Sequence, residues 1–407
     1  MKNLIYKHNL EMKRLFSIMI LLSFSGICFS QTGQPLVNST LAGKAHPSPY
    51  NVYSVHYPRI EADSRVTFKF AAPYAQKVQV SIANVPFDMI RGDDGVWTYT
   101  SEPQDLGYHN YWMIVDGAIV LDPATDGFIG YSHMCNGFEI PDPNGGFYEV
   151  KNVPHGNVLI EKYFSSVTES WRKIYIYTPP DYETSTNTRY PVLYLQHGGG
   201  EDQRVWIEMG RTNLILDNLI AEGKAKPFIV VMETSAAYKP DDAPPQARQM
   251  APSPVQSAPG GQPAARRTGS RFSFDTYTEV MVNDLIPYID NNFRTLADQE
   301  HRAMSGLSMG GMCTKAVTLA NLDKFSHIGI FSGGTIAPDE IIDKSKIKLV
   351  FMSYGSRERG SASVKDASDV LNKAGIRSVS YVSPLTAHEF QSWRRSLYEF
   401  AQLIFNN

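Results

Sequence analysis

Hydrophobic and polar residues alternate in the first third of the chain, which is typical of half-buried strands. The segments 66–70 and 78–82 show this period of two. Val96–Tyr99 and Tyr111–Val115 are further apolar runs that lie next to glycine-containing turns. Short strands at this spacing predict a small β-sandwich over residues 48–150.

From about residue 154 the pattern changes to apolar runs that alternate with helical segments. The runs predicted as strands are Lys173–Tyr177, Val192–Leu195, Phe228–Met232, His301–Met304, Ile328–Phe331, Ile347–Met352 and Val379–Val382. The segments predicted as helices are Asn213–Glu222, Tyr277–Asn292, Met309–Ala320 and Trp393–Ile404. This alternation predicts an α/β domain over residues 151–407, with a doubly wound, mostly parallel sheet. A proline-rich segment, 240–271, is expected to be a surface insertion in that domain.

The N-terminus has the residue order of a secretory signal peptide. Lys13 and Arg14 precede an apolar run, Leu15–Ile27, that is too short to cross a bilayer comfortably. We expect residues 1–30 to be removed, which leaves a flexible polar lead at 31–47. The mature protein is then expected to be secreted or periplasmic and to have no membrane association.

Composition excludes several classes of protein. The chain has 38 Lys and Arg residues against 41 Asp and Glu residues, for a formal charge of −3. Nucleic-acid binding is therefore not expected, because neutralising phosphates needs a basic excess. The three cysteines form no CxxC pair, which argues against a zinc ribbon or a dithiol redox centre.

The segment Gly306-Leu307-Ser308-Met309-Gly310 is the strongest chemical signal. It follows a strand-like stretch and opens a helix-like one, which is the setting of a G-x-S-x-G nucleophile elbow. Small neighbours allow the strained turn that exposes the serine, and the N-terminus of the helix favours developing negative charge. Ser308 is predicted to be the nucleophile of an acyl-transfer reaction.

A glycine-rich stretch, His197-Gly198-Gly199-Gly200, follows the predicted strand Val192–Leu195. Glycines let backbone N–H groups approach an oxyanion closely. We therefore predict an oxyanion hole formed by Gly199 and by Met309, the residue after the nucleophile. Gly198 and Gly200 are assigned to substrate binding, and His197 is expected to shape the loop.

The base and the acid must follow the serine in the chain, in the order serine, acid, histidine. His388 follows a predicted strand and precedes the last helix, so it is the predicted base. Glu358 lies in the turn after the strand Ile347–Met352 and is the predicted acid. Asp366 is the alternative, although its surroundings predict the exposed face of a helix.

With these residues in view, residues 155–405 resemble carbohydrate esterase family 1, which contains feruloyl and acetylxylan esterases. The resemblance is carried by the segments Tyr177–Pro180, Leu195–Asp202, Asn213–Lys224 and Asp284–Ile289, by Trp206, by the serine elbow and by His388. It implies an α/β-hydrolase fold, no metal or organic cofactor, and a triad of Ser308, Glu358 and His388. Many members carry aspartate where Glu358 stands. Trp206 is expected on the substrate rim.

Residues 48–150 resemble carbohydrate-binding module family 48, an immunoglobulin-like β-sandwich. The motifs that carry this resemblance are Asp94–Trp97, Val115–Gly117 and Asp122-Pro123. Together the two resemblances imply a secreted serine esterase that hydrolyses feruloyl esters on plant cell-wall xylan. An acetylxylan esterase is the alternative. A siderophore esterase of the enterochelin type and a non-catalytic carbohydrate-binding protein are less favoured.

Overall fold

The computed structural model describes residues 39–242 and 273–406. The predicted signal peptide, residues 31–38 of the predicted lead and nearly all of the proline-rich insertion lie outside the described residues. No helix in the described ranges is long and apolar enough to span a membrane.

The N-terminal part of the described chain contains two antiparallel sheets. The strands are β1 (His46–Pro47), β2 (Arg59–Ile60), β3 (Val66–Ala71), β4 (Val78–Ile82), β5 (Val85–Asp88), β6 (Ile90–Arg91), β7 (Val96–Thr100), β8 (Gly107–Val115), β9 (Ala118–Val120), β10 (Gly127–Gly130) and β11 (His133–Ile140). The first sheet has the order β1-β2-β3-β7-β6 and the second the order β10-β11-β8-β4-β5, with β9 paired to β8. The strands predicted from the alternating segments are confirmed.

The two N-terminal sheets enclose one core. Phe68 of β3 and Trp97 of β7 face Val80 of β4, Met113 of β8 and Phe138 of β11 in a single buried cluster. Because the alternating apolar positions of both sheets meet here, each sheet buries one face against the other. The predicted β-rich region is therefore present, and the immunoglobulin-like topology stays a prediction.

The C-terminal part is built on one eight-stranded sheet. Its strands are β12 (Asn157–Ser165), β13 (Ser170–Thr178), β14 (Val192–Gln196), β15 (Ile229–Glu233), β16 (Arg302–Leu307), β17 (His327–Phe331), β18 (Leu349–Gly355) and β19 (Ser378–Ser383). The order is β12-β13-β15-β14-β16-β17-β18-β19. The last six strands in this order are parallel, whereas β12 and β13 are antiparallel, so the sheet is mixed.

Helices connect the parallel strands and cover both faces of the sheet. They are α1 (Val205–Glu208), α2 (Thr212–Ala221), α3 (Asp275–Val280), α4 (Ile286–Asn292), α5 (Met309–Ala320), α6 (Val364–Lys373) and α7 (Phe390–Ala401), and a π-helical turn, Met281–Leu285, joins α3 to α4. The predicted α5 is confirmed at both ends. The last helix begins three residues earlier than predicted, and β12 was not predicted, because its apolar and polar residues follow no clear period.

The N-terminal sheets share a hydrophobic cluster with the C-terminal part. Tyr108 and Phe128 from the second sheet pack in one buried cluster with Trp206 and Phe390. The rings of Tyr108 and Phe390 meet edge to face, with centroids 6.0 Å apart. Removing the N-terminal sheets would expose these apolar side chains to water, so the two parts stabilise each other.

A buried ion pair crosses the same contact. Arg394 of α7 donates two hydrogen bonds to Glu139 of β11, with N–O distances of 2.5 and 3.1 Å, and both side chains are 0% exposed. Burial alone would raise the pKa of Glu139, but the charge and hydrogen bonds of Arg394 hold this pKa below its ordinary value. Tyr50 also donates to Glu139, and Arg394 donates to the carbonyl of Met209. The carboxylate of Glu139 therefore accepts hydrogen bonds from Tyr50 and Arg394, and Arg394 is itself held by the carbonyl of Met209.

We expect Arg394→Met to lower the free energy of unfolding by about 3–5 kcal/mol, because it leaves the carboxylate of Glu139 buried without its cation. Urea denaturation would measure the change. Arg357→Met is the matched control, since Arg357 also forms an ion pair with the N-terminal sheets, to Asp105, but both partners are 47% exposed. Its cost should stay below about 1 kcal/mol. Equal costs for the two variants would contradict the importance of the buried pair.

Candidate active site

Ser308 occupies the turn between β16 and α5 in a backbone conformation that few residues adopt. Its φ and ψ angles are 52° and −115°. A non-glycine residue in such a region costs about 1–3 kcal/mol and persists only where its surroundings impose it. Here the N–H of Ser308 donates to the carbonyl of Phe331, and its own carbonyl accepts from Gly311 and Met312. The turn therefore has the geometry of a nucleophile elbow.

Glycines allow the start of α5 to lie directly against the sheet beneath this turn. A Cβ atom on Gly306 would lie 2.5 Å from the backbone of Gly310. One on Gly310 would lie 2.4 Å from the carbonyl oxygen of His197. Real Cβ atoms do not approach backbone this closely, so these positions require glycine for the turn to close.

The structure brings Ser308, His388 and Glu358 together. The Oγ atom of Ser308 lies 2.9 Å from Nε2 of His388, and Nδ1 of His388 lies 2.7 Å from Oε2 of Glu358. The histidine side chain is 50% exposed, and the carboxylate is 10% exposed. This is the hydrogen-bonded order in which a histidine can accept the serine proton while a carboxylate holds its tautomer.

Three further residues hold Glu358 in place. Its Oε1 accepts hydrogen bonds from the hydroxyl of Ser332 and from the N–H of Gly355, both at 2.7 Å. Trp393 donates its indole N–H to Ser332 at 3.1 Å and packs edge-on against the ring of His388. With Oε1 satisfied in this way, Oε2 is directed at the histidine. The sequence analysis missed Ser332, whose only signal was its position directly after β17.

The loops that carry the acid and the histidine are joined through their backbones. The N–H of Arg357 donates to the carbonyl of Thr386, and the N–H of Ser356 donates to that of Ser383. A Cβ on Gly355 would lie 2.5 Å from the carbonyl oxygens of Thr386 and Ala387. The separation of Glu358 and His388 is therefore fixed by main-chain contacts. Asp366, the alternative acid, lies on the exposed side of α6.

The glycine-rich loop faces the start of α5. The Cβ position of Gly199 lies 3.8 Å from the side chain of Met309, so the two predicted oxyanion donors are neighbours. Gly198 has a different role from the predicted one, because it is buried and donates its N–H to Oε2 of Glu201 at 2.8 Å. Burial raises the pKa of Glu201 to about 7, against the hydrogen bond from Gly198, which lowers it.

His197 lies beneath the loop, outside the serine–histidine contact. It is buried, and its Nδ1 lies 2.7 Å from the carbonyl of Gly198. Burial lowers its pKa, which keeps the ring neutral. Its predicted role in shaping the loop agrees with these contacts. Among the described residues, no group of three or more His, Cys, Asp or Glu side chains is placed to hold a metal ion.

The prediction that Trp206 lies on the substrate rim is wrong. Its side chain is 0% exposed and packs in the core against Phe331 and Phe390. Its indole N–H donates to the carbonyl of Gln196 at 2.8 Å. A carbonyl at the end of a buried strand needs a donor, and Trp206 supplies it, so this residue supports the glycine-rich loop from below.

A residue of the N-terminal sheets reaches the rim of the site instead. Tyr131 lies in the turn between β10 and β11 and is 45% exposed. The N–H of the next residue, Ser132, donates to the carbonyl of Gly200 at 2.9 Å, which ties this turn to the glycine-rich loop. The ring of Tyr131 packs against Trp112, with centroids 5.3 Å apart, and burial is the main cause that raises the pKa of its phenol. Gly200, which was predicted to bind substrate, therefore contacts the turn between β10 and β11 through its carbonyl.

Comparison with known proteins supports an esterase relationship. A family described as "putative esterase" matches residues 165–396. An endo-1,4-beta-xylanase/feruloyl esterase from Xylanibacter ruminicola is 37% identical over 369 residues, which cover 88% of this chain and 47% of that protein. The chain thus spans less than half the length of the curated relatives it matches.

Solved structures share the fold. A CE1 ferulic acid esterase from Anaeromyces mucronatus aligns with a TM-score of 0.50 at 21% identity, covering 65% of this chain and 96% of that one. The enterobactin esterase of Shigella flexneri aligns with a TM-score of 0.57 at 16% identity, covering 83% and 92% of the two chains. At these identities the similarity supports the α/β-hydrolase-type fold of the C-terminal part and no more.

We expect Ser308→Ala to reduce kcat on a soluble ester by about a thousandfold or more, since triad deletions leave only the contribution of the oxyanion hole and of binding. The fold should persist, because the hydroxyl adds little packing, and far-UV circular dichroism would check this. Ser363→Ala, at an exposed serine, is the control. Retention of more than about a tenth of the wild-type activity would exclude Ser308 as the nucleophile.

Two carboxylate variants separate the candidate acids. Glu358→Gln should lower kcat on the same soluble ester by up to about 10⁴-fold, because the histidine then loses the partner that fixes its tautomer. Asp366→Asn should change kcat by less than about twofold, since a solvated charge on a helix face contributes little. The reverse order of losses would make Asp366 the acid and Glu358 a structural carboxylate.

Proposed function

This chain belongs to the esterase family matched above, and we propose that it is a serine esterase that releases feruloyl groups from plant xylan. The sequence-based expectation of a carboxylic ester hydrolase is confirmed by the family match and by the feruloyl esterase relative. The observation that carries the serine esterase mechanism is the hydrogen-bonded series of Ser308, His388 and Glu358, with distances of 2.9 and 2.7 Å, beside a glycine-rich loop.

In the first step, Oγ of Ser308 attacks the ester carbonyl while Nε2 of His388 accepts the serine proton. The carbonyl oxygen becomes an oxyanion and accepts hydrogen bonds from the N–H groups of Gly199 and Met309. Met309 is the first residue of α5, so its N–H has no acceptor within the helix, and the helix dipole adds to its effect. Collapse of the intermediate breaks the ester C–O bond, and His388 gives the proton to the leaving sugar oxygen, which becomes a hydroxyl group.

In the second step, water attacks the acyl-enzyme. His388 accepts a proton from this water, and the feruloyl carboxylic acid leaves as the proton returns to Ser308. Glu358 stabilises the imidazolium that forms in both steps. Its two hydrogen bonds from Ser332 and Gly355 hold Oε1, which leaves Oε2 directed at His388. Neither step needs a metal or an organic cofactor.

The choice of acyl group rests on the relative and on the rim. The relative from Xylanibacter ruminicola is named an endo-1,4-beta-xylanase/feruloyl esterase, and this chain shares 37% identity with it. Tyr131 offers a half-exposed aromatic ring beside the glycine-rich loop, on which a planar aromatic acyl group can stack. An acetyl group has no aromatic ring that could stack on Tyr131, so an acetylxylan esterase is the second candidate.

Access to plant polysaccharide requires export. The proposal therefore includes removal of residues 1–30 and a secreted or periplasmic enzyme, which the charged and apolar order of the N-terminus supports. It also includes residues 48–150, which resemble a carbohydrate-binding module and share a buried core with the esterase domain. A cytoplasmic siderophore esterase fits this export less well.

We expect kcat/KM for methyl ferulate to exceed kcat/KM for an acetylated xylo-oligosaccharide. Tyr131→Ala should lower the ferulate value about five- to tenfold, through lost stacking, and leave the acetyl value within about twofold. Tyr74→Ala, at a tyrosine that is 93% exposed, is the matched control and should change neither. A higher kcat/KM on the acetylated substrate would show that the enzyme prefers acetyl esters and would overturn the feruloyl assignment.

A further inference from the structure

One face of the β12–β13 hairpin is buried at one end, where Tyr177 is 0% exposed, and becomes exposed toward the connecting turn although it stays largely apolar. Six side chains of the more exposed part share this face, because directly opposed residues of an antiparallel pair point the same way. They form the pairs Ile160 with Tyr175, Lys162 with Lys173, and Phe164 with Trp171. We refer to these six residues as the aromatic–lysine face.

The exposure of this face contrasts with the rest of the sheet. Trp171 is 71% exposed, Ile160 is 59% exposed and Phe164 is 53% exposed. On the opposite face of the same two strands, Tyr163 and Ile174 are buried. The rings of Phe164 and Trp171 contact each other edge to face, with centroids 5.8 Å apart, so they form one apolar surface. Contiguous exposed aromatic surface of this kind marks a binding site.

The two lysines indicate the charge of the ligand. Lys162 and Lys173 stand directly opposite each other, an arrangement of like charges that destabilises a sheet. In residues 39–242 and 273–406, neither ammonium group has a carboxylate within 4 Å. Within the described residues these two ammonium groups are therefore neighbouring positive charges without a paired carboxylate. Burial raises the pKa of the Glu208 carboxyl group, and the charge of Lys173 opposes that rise from a distance. The positive pair favours an anionic ligand.

The mixture of residues favours a sugar polymer over a protein. Lysine is depleted in protein–protein interfaces, and here two lysines lie at the centre of the surface. Flat aromatic rings can instead stack on sugar rings while hydrated carboxylates of the same polymer contact the ammonium groups. An acidic polysaccharide satisfies both halves of the face at once.

The turn of the hairpin lies at the same end of the sheet as the candidate active site, namely the end where the parallel strands have their carboxyl termini. Ile174 pairs with Glu233, at the end of β15, and Gln196 pairs with Gly306, where the glycine-rich loop and the elbow begin. Because β13 runs antiparallel to β15, Trp171 comes three residues before Ile174 and lies about 10 Å beyond the end of β15, at about 3.3–3.4 Å per residue. Three strand spacings separate β13 from β16, or about 14 Å. One polymer chain can therefore reach both the face and Ser308.

We propose that the aromatic–lysine face binds an acidic polysaccharide, a β-linked xylan that carries uronate side groups. Phe164 and Trp171 stack on its sugar rings, and Lys162 and Lys173 bind its carboxylates. This proposal goes beyond ester hydrolysis, because it assigns a second binding site that takes no part in the chemistry. Its function is to hold the polymer beside the active site, which raises the local concentration of ester groups.

The test measures binding of the full chain to glucuronoxylan and to neutral arabinoxylan by affinity electrophoresis and isothermal titration. We expect Trp171→Ala to weaken binding to both polymers about five- to tenfold. Lys162→Gln/Lys173→Gln should weaken binding to glucuronoxylan alone, and raising the salt from 20 to 200 mM should do the same for the wild type, since salt screens exposed charges. Tyr74→Ala/Lys226→Gln, at two exposed positions away from the hairpin, is the matched control.

Hydrolysis of methyl ferulate serves as the internal check. All of these variants should keep wild-type kcat/KM on this small ester, so failure of the ester assignment would appear as wild-type inactivity with polysaccharide binding intact. Unchanged dissociation constants for Trp171→Ala and for the double lysine variant would overturn the proposal. So would a wild-type dimer in analytical ultracentrifugation that Trp171→Ala converts to a monomer without loss of polysaccharide binding, because the face would then be a contact between two copies of the chain.

Discussion

The positive φ angle of Ser308 can be held only while α5 stays pressed against the ends of β14 and β16. Gly306 and Gly310 permit that contact, since any Cβ at either position would overlap backbone. The same contact brings the first N–H groups of α5 opposite the glycine-rich loop. The accessible position of Ser308 and the placement of the two proposed oxyanion donors are thus two consequences of one close packing. A side chain at either glycine would disturb both together.

The acid and the histidine depend on a second set of main-chain contacts, which in turn depend on α7. His388 precedes this helix by two residues, and Trp393 and Arg394 belong to it. Trp393 holds Ser332 against Glu358, whereas Arg394 is fixed by Glu139 in the N-terminal sheets. Both the candidate active site and the contact between the two parts of the chain therefore depend on the orientation of α7. Loss of the buried ion pair would leave the helix that carries these residues without its anchor.

Sequence patterns predicted the elements whose signals are local. The elbow, α5 and the parallel strands were found because glycine spacing and apolar runs report directly on backbone geometry. The prediction for Trp206 was wrong because a position in a motif does not show whether a side chain is buried. Its burial follows from packing against Phe331 and Phe390 and from its hydrogen bond to the carbonyl of Gln196. Tyr131 and Ser332 were missed for a related reason. Their contacts join segments distant in the chain, and no local pattern encodes them. The shared core between the N-terminal sheets and α7 could not be predicted either, since both surfaces look like ordinary amphipathic faces in sequence.

The open face of the hairpin follows from the topology of the sheet. Parallel strands need crossover connections, and the helices in those connections cover the sheet on both sides. β12 and β13 are joined by a four-residue turn, 166–169, so this connection contains no helix that could cover them. An antiparallel extension at the edge of a parallel sheet therefore leaves surface uncovered, and it does so beside the carboxyl ends of the parallel strands, where the catalytic loops lie. Hydrophobic side chains at such a position cost solubility unless a ligand uses them. The aromatic rings and lysines of this hairpin fit the acidic polysaccharide that we propose as its ligand.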